Sequence, residues 1–175
     1  MTSWQDAFAI QTRACRELGS GLTARVCEAL TRIIAADQGP VGRRVKTWPG
    51  DPAPGADSVP LRLCGALHAL VLSDQAPALA QAYAAGGGAH LDQEICNTVQ
   101  SHERHILEWL EFAPQTNEVA RSGPIIAAAW FLGAQTPSIA HDALELGASA
   151  GLNLNFPHYS LADNEKFQPP LADEY

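Results

Sequence analysis

The chain has 175 residues, 46% of them hydrophobic and 17% charged, which is enough apolar material for one core and too much for a disordered chain. Its net charge of −8 excludes general binding to a nucleic-acid phosphate backbone. No stretch reaches the roughly 20 consecutive apolar residues that span a bilayer, and Gln5, Asp6, Gln11 and Arg13 interrupt any leader-like apolar run.

In chain order, Trp4, Phe8, Cys15 and Leu18 fall near one face of a helix over residues 4–18, with Gly19 as its stop. Ser20 is the expected N-cap of a second helix, about 22–37, with Leu22, Val26, Leu30, Ile33 and Ile34 inward. Residues 38–58 are punctuated by Pro40, Pro49, Pro52, Pro54, Gly39, Gly42, Gly50 and Gly55 and read as one long connection. Ser58 is expected to cap a central helix over 60–72, apolar around most of its circumference through Leu61, Leu63, Leu67, Leu70, Val71 and Leu72. A short helix over 77–85 ends at Gly86-Gly87-Gly88. The longest helix is expected over 91–112, with Leu91, Ile95, Val99, Ile106 and Leu110 as its inner stripe. Apolar residues 125–132 form one more helix, either capped by Ser122 with Pro124 in its first turn or begun near Glu118 and kinked at Pro124. Ala143, Leu144 and Leu146 read as a buried strand over 143–146. The expected fold is mainly α: five or six helices over 1–140, then the first strand and glycine loop of an incomplete Rossmann-like α/β domain over 141–175. An unpaired edge on that strand leads to an expected homodimer.

The small-residue turn after the strand carries the main chemical signal. Glu145 followed by Gly147, Ser149 and Gly151 matches the S-adenosylmethionine loop of class I methyltransferases, where small residues let the cofactor approach the backbone. The same residues spell G-x-S-x-G, the nucleophile elbow of serine hydrolases, with Ser149 as nucleophile. That reading lacks a suitable base: His158 is the only later histidine, nine residues on, too close to come from a separate strand. A second polar cluster spans Pro114 to Ser122. Asn117 and Glu118 suit a helix start, but Arg121 opposes the dipole there, so Gln115, Thr116, Asn117, Glu118 and Arg121 are candidates for a site wall. His102-Glu103-Arg104-His105 lacks the zincin spacing and reads as a solvated face, so no metal site is expected. Arg43, Arg44 and Lys46 beside Trp48 read as a solvated loop. Cys15, Cys27, Cys64 and Cys96 form no C-x-x-C pair and read as free thiols of a reduced, cytoplasmic protein.

The two clusters together, Pro114-Gln115-Thr116-Asn117-Glu118 with Arg121 and the run from Glu145 to Leu154, resemble the bacterial family called domain of unknown function 2332. Trp48-Pro49-Gly50-Asp51-Pro52 and Leu61-Arg62-Leu63-Cys64-Gly65-Ala66-Leu67-His68 resemble it too, so the likeness runs from about residue 8 to 160. The resemblance implies a helical region joined to a methyltransferase-like α/β region in proteins longer than this chain. It implies cofactor contacts at Glu145, Gly147, Ser149, Gly151 and Asn153, and a polar motif at Thr116, Asn117, Glu118 and Arg121. Ser149 replaces the middle glycine of ordinary methyltransferases, and Pro157 cuts short the helix after the loop. The expected function is therefore the N-terminal part of an S-adenosylmethionine-dependent methyltransferase-like protein. Its acceptor and catalytic residues are unassigned, and this chain alone is expected to be inactive. The alternatives are a non-catalytic helical module that binds a partner, and a serine hydrolase using Ser149.

Overall fold

The computed structural model describes residues 1–88, 90–115, 119–137, 139–148 and 151–159. Thr116, Asn117, Glu118 and Ser149 lie outside the described residues. The chain groups into two compact units, Met1–Pro114 and Gln115–Tyr175. Among the described residues the regular structure is helical throughout, with no strand, and no single helix is long and apolar enough to cross a membrane.

In the first unit, α1 (Trp4–Glu17) starts where the Ser3 hydroxyl accepts the Asp6 N–H and donates to the Asp6 carboxylate. It ends at Gly19, whose φ of +77° lets Ser20 N–H reach the Cys15 carbonyl and Gly19 N–H the Arg16 carbonyl. The chain then turns into α2 (Gly21–Ala36), which packs chiefly on α1. Ser20 makes no capping bond; its hydroxyl meets Thr23 instead.

The expected long connection contains a helix, α3 (Pro40–Lys46). Asp37 builds it: its carboxylate accepts the N–H of Gly39 at 2.6 Å and of Gly42 at 2.7 Å, while its carbonyl accepts from Lys46 Nζ. A Cβ at Gly42 would fall 2.7 Å from the Asp37 carbonyl oxygen, so glycine is needed for that approach. The helix buries Val41 and Val45.

Residues 47–58 are held as firmly. Trp48 Nε1 donates to Asp57 Oδ2 at 2.7 Å, and Asp51 accepts from the backbone of Ala53 and Asp57. Ser58 does not cap α4 (Val59–Leu72); it sits at φ +52° and donates to the Pro54 carbonyl. Arg62 reaches back from α4 with Nε on the Asp57 carbonyl and Nη1 on the Leu110 carbonyl, at 2.7 and 2.8 Å. Its guanidinium lies 5.3 Å from the Trp48 ring, and that of Arg44 lies 4.5 Å from the same ring. The basic residue beside Trp48 is thus spent on stacking and on an ion pair to Glu111.

α4 is the central helix of this unit, with Leu63, Ala66, Leu67 and Leu70 fully buried, although Leu72 faces solvent. α5 (Pro77–Ala84) follows. The single helix expected over 91–112 is two, α6 (Leu91–Ser101) and α7 (Glu103–Leu110). The break falls at His102, the polar residue in an otherwise apolar stripe, where Thr98 and Ser101 hydroxyls bond carbonyls one turn back. Both halves keep the stripe inward: Leu91, Ile95, Val99, Ile106 and Leu110 are all buried. The histidine-rich turn serves packing. His105 Nε2 lies 3.2 Å from the Ala66 carbonyl, its ring meets Trp109, and Arg104 pairs with Glu108. Among the described residues no three side chains are placed to hold a metal.

The second unit contains a 3-10 turn (Val119–Arg121), α8 (Ser122–Gln135) and a 3-10 helix (Leu152–His158) packed on α8. α8 begins at Ser122, with Arg121 rather than Ser122 at the cap position and Pro124 in the first turn, as in the first of the two expected forms. The strand expected over 143–146 is not formed. Those residues run irregularly, and Leu144 and Leu146 are 86% and 88% exposed. A lone strand has no ladder partner for its N–H and C=O groups, so the apolar pattern alone does not make it. The edge expected to carry a homodimer is absent with it.

Two stability tests follow from these contacts. Removing the Arg62 fork in Arg62→Ala orphans two carbonyls and should cost about 2–3 kcal/mol in urea unfolding, with little rescue by Arg62→Lys, which lacks the fork. A loss below about 0.5 kcal/mol would show that the stack and carbonyl bonds contribute nothing net. Asp37→Ala should cost about 1 kcal/mol through lost capping of α3, again read from the urea midpoint; an unchanged midpoint would assign α3 to packing alone.

Candidate functional site

A chain of polar side chains in the second unit joins residues distant in sequence. Ser122, at the start of α8, donates its hydroxyl proton to Asn153 Oδ1 at 3.1 Å. Asn153 Nδ2 donates to Glu145 Oε1 at 3.0 Å. Ser122 and Asn153 are only 2% and 7% exposed, so the chain of bonds runs through the interior of the unit. It uses the amide fully in one direction: oxygen accepting from a hydroxyl, nitrogen donating to a carboxylate. That fixes the Glu145 carboxylate in one orientation. Its second oxygen, Oε2, is enclosed and has no hydrogen-bond partner among the described residues. An enclosed carboxylate oxygen without a donor is costly, because it has left water and gained nothing in return.

Backbone geometry places Asn153. Gly147 and Gly151 both take φ +71°, the left-handed region that a β-branched residue avoids. Gly151 N–H closes on the Ala148 carbonyl at 2.7 Å, and the 3-10 helix begins at the next residue. Among the described residues nothing lies within 4 Å of where a Cβ would stand on Gly147 or Gly151, so they leave the backbone there open to approach. Pro157 sits inside the 3-10 helix, in keeping with the short helix expected after the loop. The turn nevertheless departs from the strand–turn–helix form shared by the cofactor loop and the nucleophile elbow. Irregular chain precedes it, and a 3-10 helix follows.

Next to these residues in sequence, Ala143 and Leu154 help line a groove of about 490 Å³. Ile125, Leu132, Leu154 and Phe156 give it an apolar lining, and His141 and Asp142 supply its polar edge. Thr136 donates its one hydroxyl proton to the Leu132 carbonyl, so the bond to His141 at 3.0 Å runs from the imidazole Nε2–H to the Thr136 oxygen. That holds the ring and leaves Nδ1 as its second polar atom.

Of the residues read from the sequence as a cofactor loop, Glu145 and Asn153 are hydrogen-bonded to each other, and Gly147 and Gly151 shape the turn between them. Ser149 lies outside the described residues, as do Thr116, Asn117 and Glu118 of the polar motif. Arg121 closes the 3-10 turn before α8 and is exposed, outside the bonded chain. Ser122 and His141 were not legible as site residues. Ser122 reads as a helix cap, and the bond it makes spans 31 residues with no spacing signal.

No curated protein matches the chain, and no solved structure does. A family model described as "Uncharacterized protein conserved in bacteria (DUF2332)" matches residues 5–167. With nearly its whole length inside that match, the chain belongs to this uncharacterised bacterial family.

Proposed function

We propose that the second unit carries a small-molecule site centred on Glu145, and that its ligand is S-adenosylmethionine, making the protein part of a methyltransferase-like system with an unassigned acceptor. The observation that carries the reading is the enclosed, donor-less Oε2 of Glu145. A ligand bearing hydroxyl or ammonium donors would satisfy it, and S-adenosylmethionine bears both. Glu145 would accept from the ligand, Asn153 and Ser122 would hold the carboxylate in place, and Gly147 and Gly151 would admit it to the backbone. Thr116, Asn117, Glu118, Arg121 and Ser149 join the proposal on the family motif. The groove volume is in the range of small-molecule sites, roughly 300–1,000 Å³. When bound, S-adenosylmethionine supplies an electrophilic methyl group; the chain's own residues bind and orient. A cytoplasmic location belongs to the same reading, since the four cysteines are all free.

Titration calorimetry of this chain and of a longer family member with S-adenosylmethionine tests it. Saturable binding is expected in at least one, weakened about thirty-fold, or 2 kcal/mol, by Glu145→Gln. No heat in either protein would contradict the reading. Gly151→Val should abolish binding while helical circular dichroism persists, because the left-handed turn cannot hold valine and the α1–α7 core does not include it. Ser149→Ala separates the serine-hydrolase alternative: it should leave cofactor binding within about two-fold, whereas a nucleophile's loss would remove an esterase activity outright.

A further inference from the structure

The helical unit buries a thiol cluster that the proposed function does not use. Cys27 on α2 is fully buried and Cys64 on α4 is half-buried, with their sulfurs 3.7 Å apart. Cys15 of α1 lies against Cys27 from the third side and accepts from Gln11 Nε2 at 3.3 Å. Three helices therefore converge on sulfur in a core otherwise made of Leu30, Leu63, Leu67 and similar side chains.

We propose that Cys27 and Cys64 are an oxidation site, at which a hydroperoxide forms a disulfide that staples α2 to α4. A disulfide holds its sulfurs about 2.05 Å apart, so closure needs each sulfur to move by less than 1 Å from the present contact. Cys64 is half-buried, and its thiol is held well above its usual value by its bond to Cys27 and by burial, so Cys27 supplies the attacking sulfur. In the first step the Cys27 sulfur attacks the distal peroxide oxygen and the O–O bond breaks; the leaving alkoxide, or hydroxide when the oxidant is hydrogen peroxide, takes the Cys27 proton, giving a sulfenic acid and one alcohol or water. In the second, Cys64 sulfur attacks Cys27 sulfur; the S–O bond breaks, and the leaving hydroxide takes the Cys64 proton and departs as water. Both sulfurs are oxidised by one electron each, and the peroxide accepts the two electrons. The S–H of Cys64, donated to Cys27, holds the Cys27 thiol below its usual value in spite of burial, which suits it to the first step. The link spans 37 residues, long enough for cross-linking to constrain the unfolded chain strongly.

The test treats the reduced, full chain with hydrogen peroxide and maps peptides by mass spectrometry without reductant. The expected product is a Cys27–Cys64 linked peptide, two hydrogens lighter than its parts and restored by dithiothreitol, with a raised melting temperature. Cys64→Ser should abolish the link, and Cys96→Ser should leave it intact. The wild-type map decides the matter even if Cys64→Ser fails to fold. Cys27 and Cys64 recovered as free thiols, oxidised separately to sulfinic acids, or linked to Cys15 or Cys96 would each overturn the proposal.

Discussion

A buried guanidinium that meets no carboxylate among the described residues organises the helical unit. Arg62 is 8% exposed, and its partners among the described residues are two carbonyls and the face of Trp48. Such a charge is tolerable only where carbonyl dipoles and a π-face replace its water. Meeting that demand ties together the loop at Asp57, the end of α7 at Leu110 and the tryptophan after α3. The otherwise punctuated stretch between α2 and α4 is thereby fixed. Asp37 does the same at the other end, capping α3 with both oxygens and its carbonyl. With those two anchors in place, α4 can present Leu63, Leu67 and Leu70 to the rest of the core.

The second unit obeys a parallel constraint with the opposite sign. Here the demanding group is a carboxylate, and only one of its oxygens is met. Ser122 and Asn153 form a short directional chain that sets the Glu145 carboxylate, and two left-handed glycines bring Asn153 under it. A purely structural role would more naturally satisfy both oxygens or expose them to water. The unmet acceptor is what the proposed ligand, through its donors, would complete.

Much of the helical unit was legible because its signals are local. α1, α2, α4 and α5 follow from apolar spacing and from the stops at Gly19 and Gly86-Gly87-Gly88, and the stripe from Leu91 to Leu110 is buried as its period demands. What the sequence hid depends on contacts across it. α3 is seven residues long and is nucleated by a side chain three residues before it, so its prolines and glycines looked like loop. The break at His102 comes from hydroxyls competing for carbonyls, which periodicity does not register. At the site, Glu145, Gly147, Gly151 and Asn153 stood out as a motif, because a turn needs particular residues. Ser122 did not, since its bond to Asn153 exists only once α8 and the 3-10 helix are packed. The apolar residues 143–146 suggested a strand, yet a strand is a pairing, and the described residues offer it no partner.

The central claim is that a ligand completes Glu145. Hydrogen–deuterium exchange, read peptide by peptide with and without S-adenosylmethionine, tests it most directly, because it locates binding as well as detecting it. The account predicts slowed exchange in peptides spanning Gly147–Asn153 and the start of α8 at Ser122, with α1–α7 unchanged. Slowed exchange confined to the helical unit, or none at saturating ligand in both this chain and a longer family member, would contradict it.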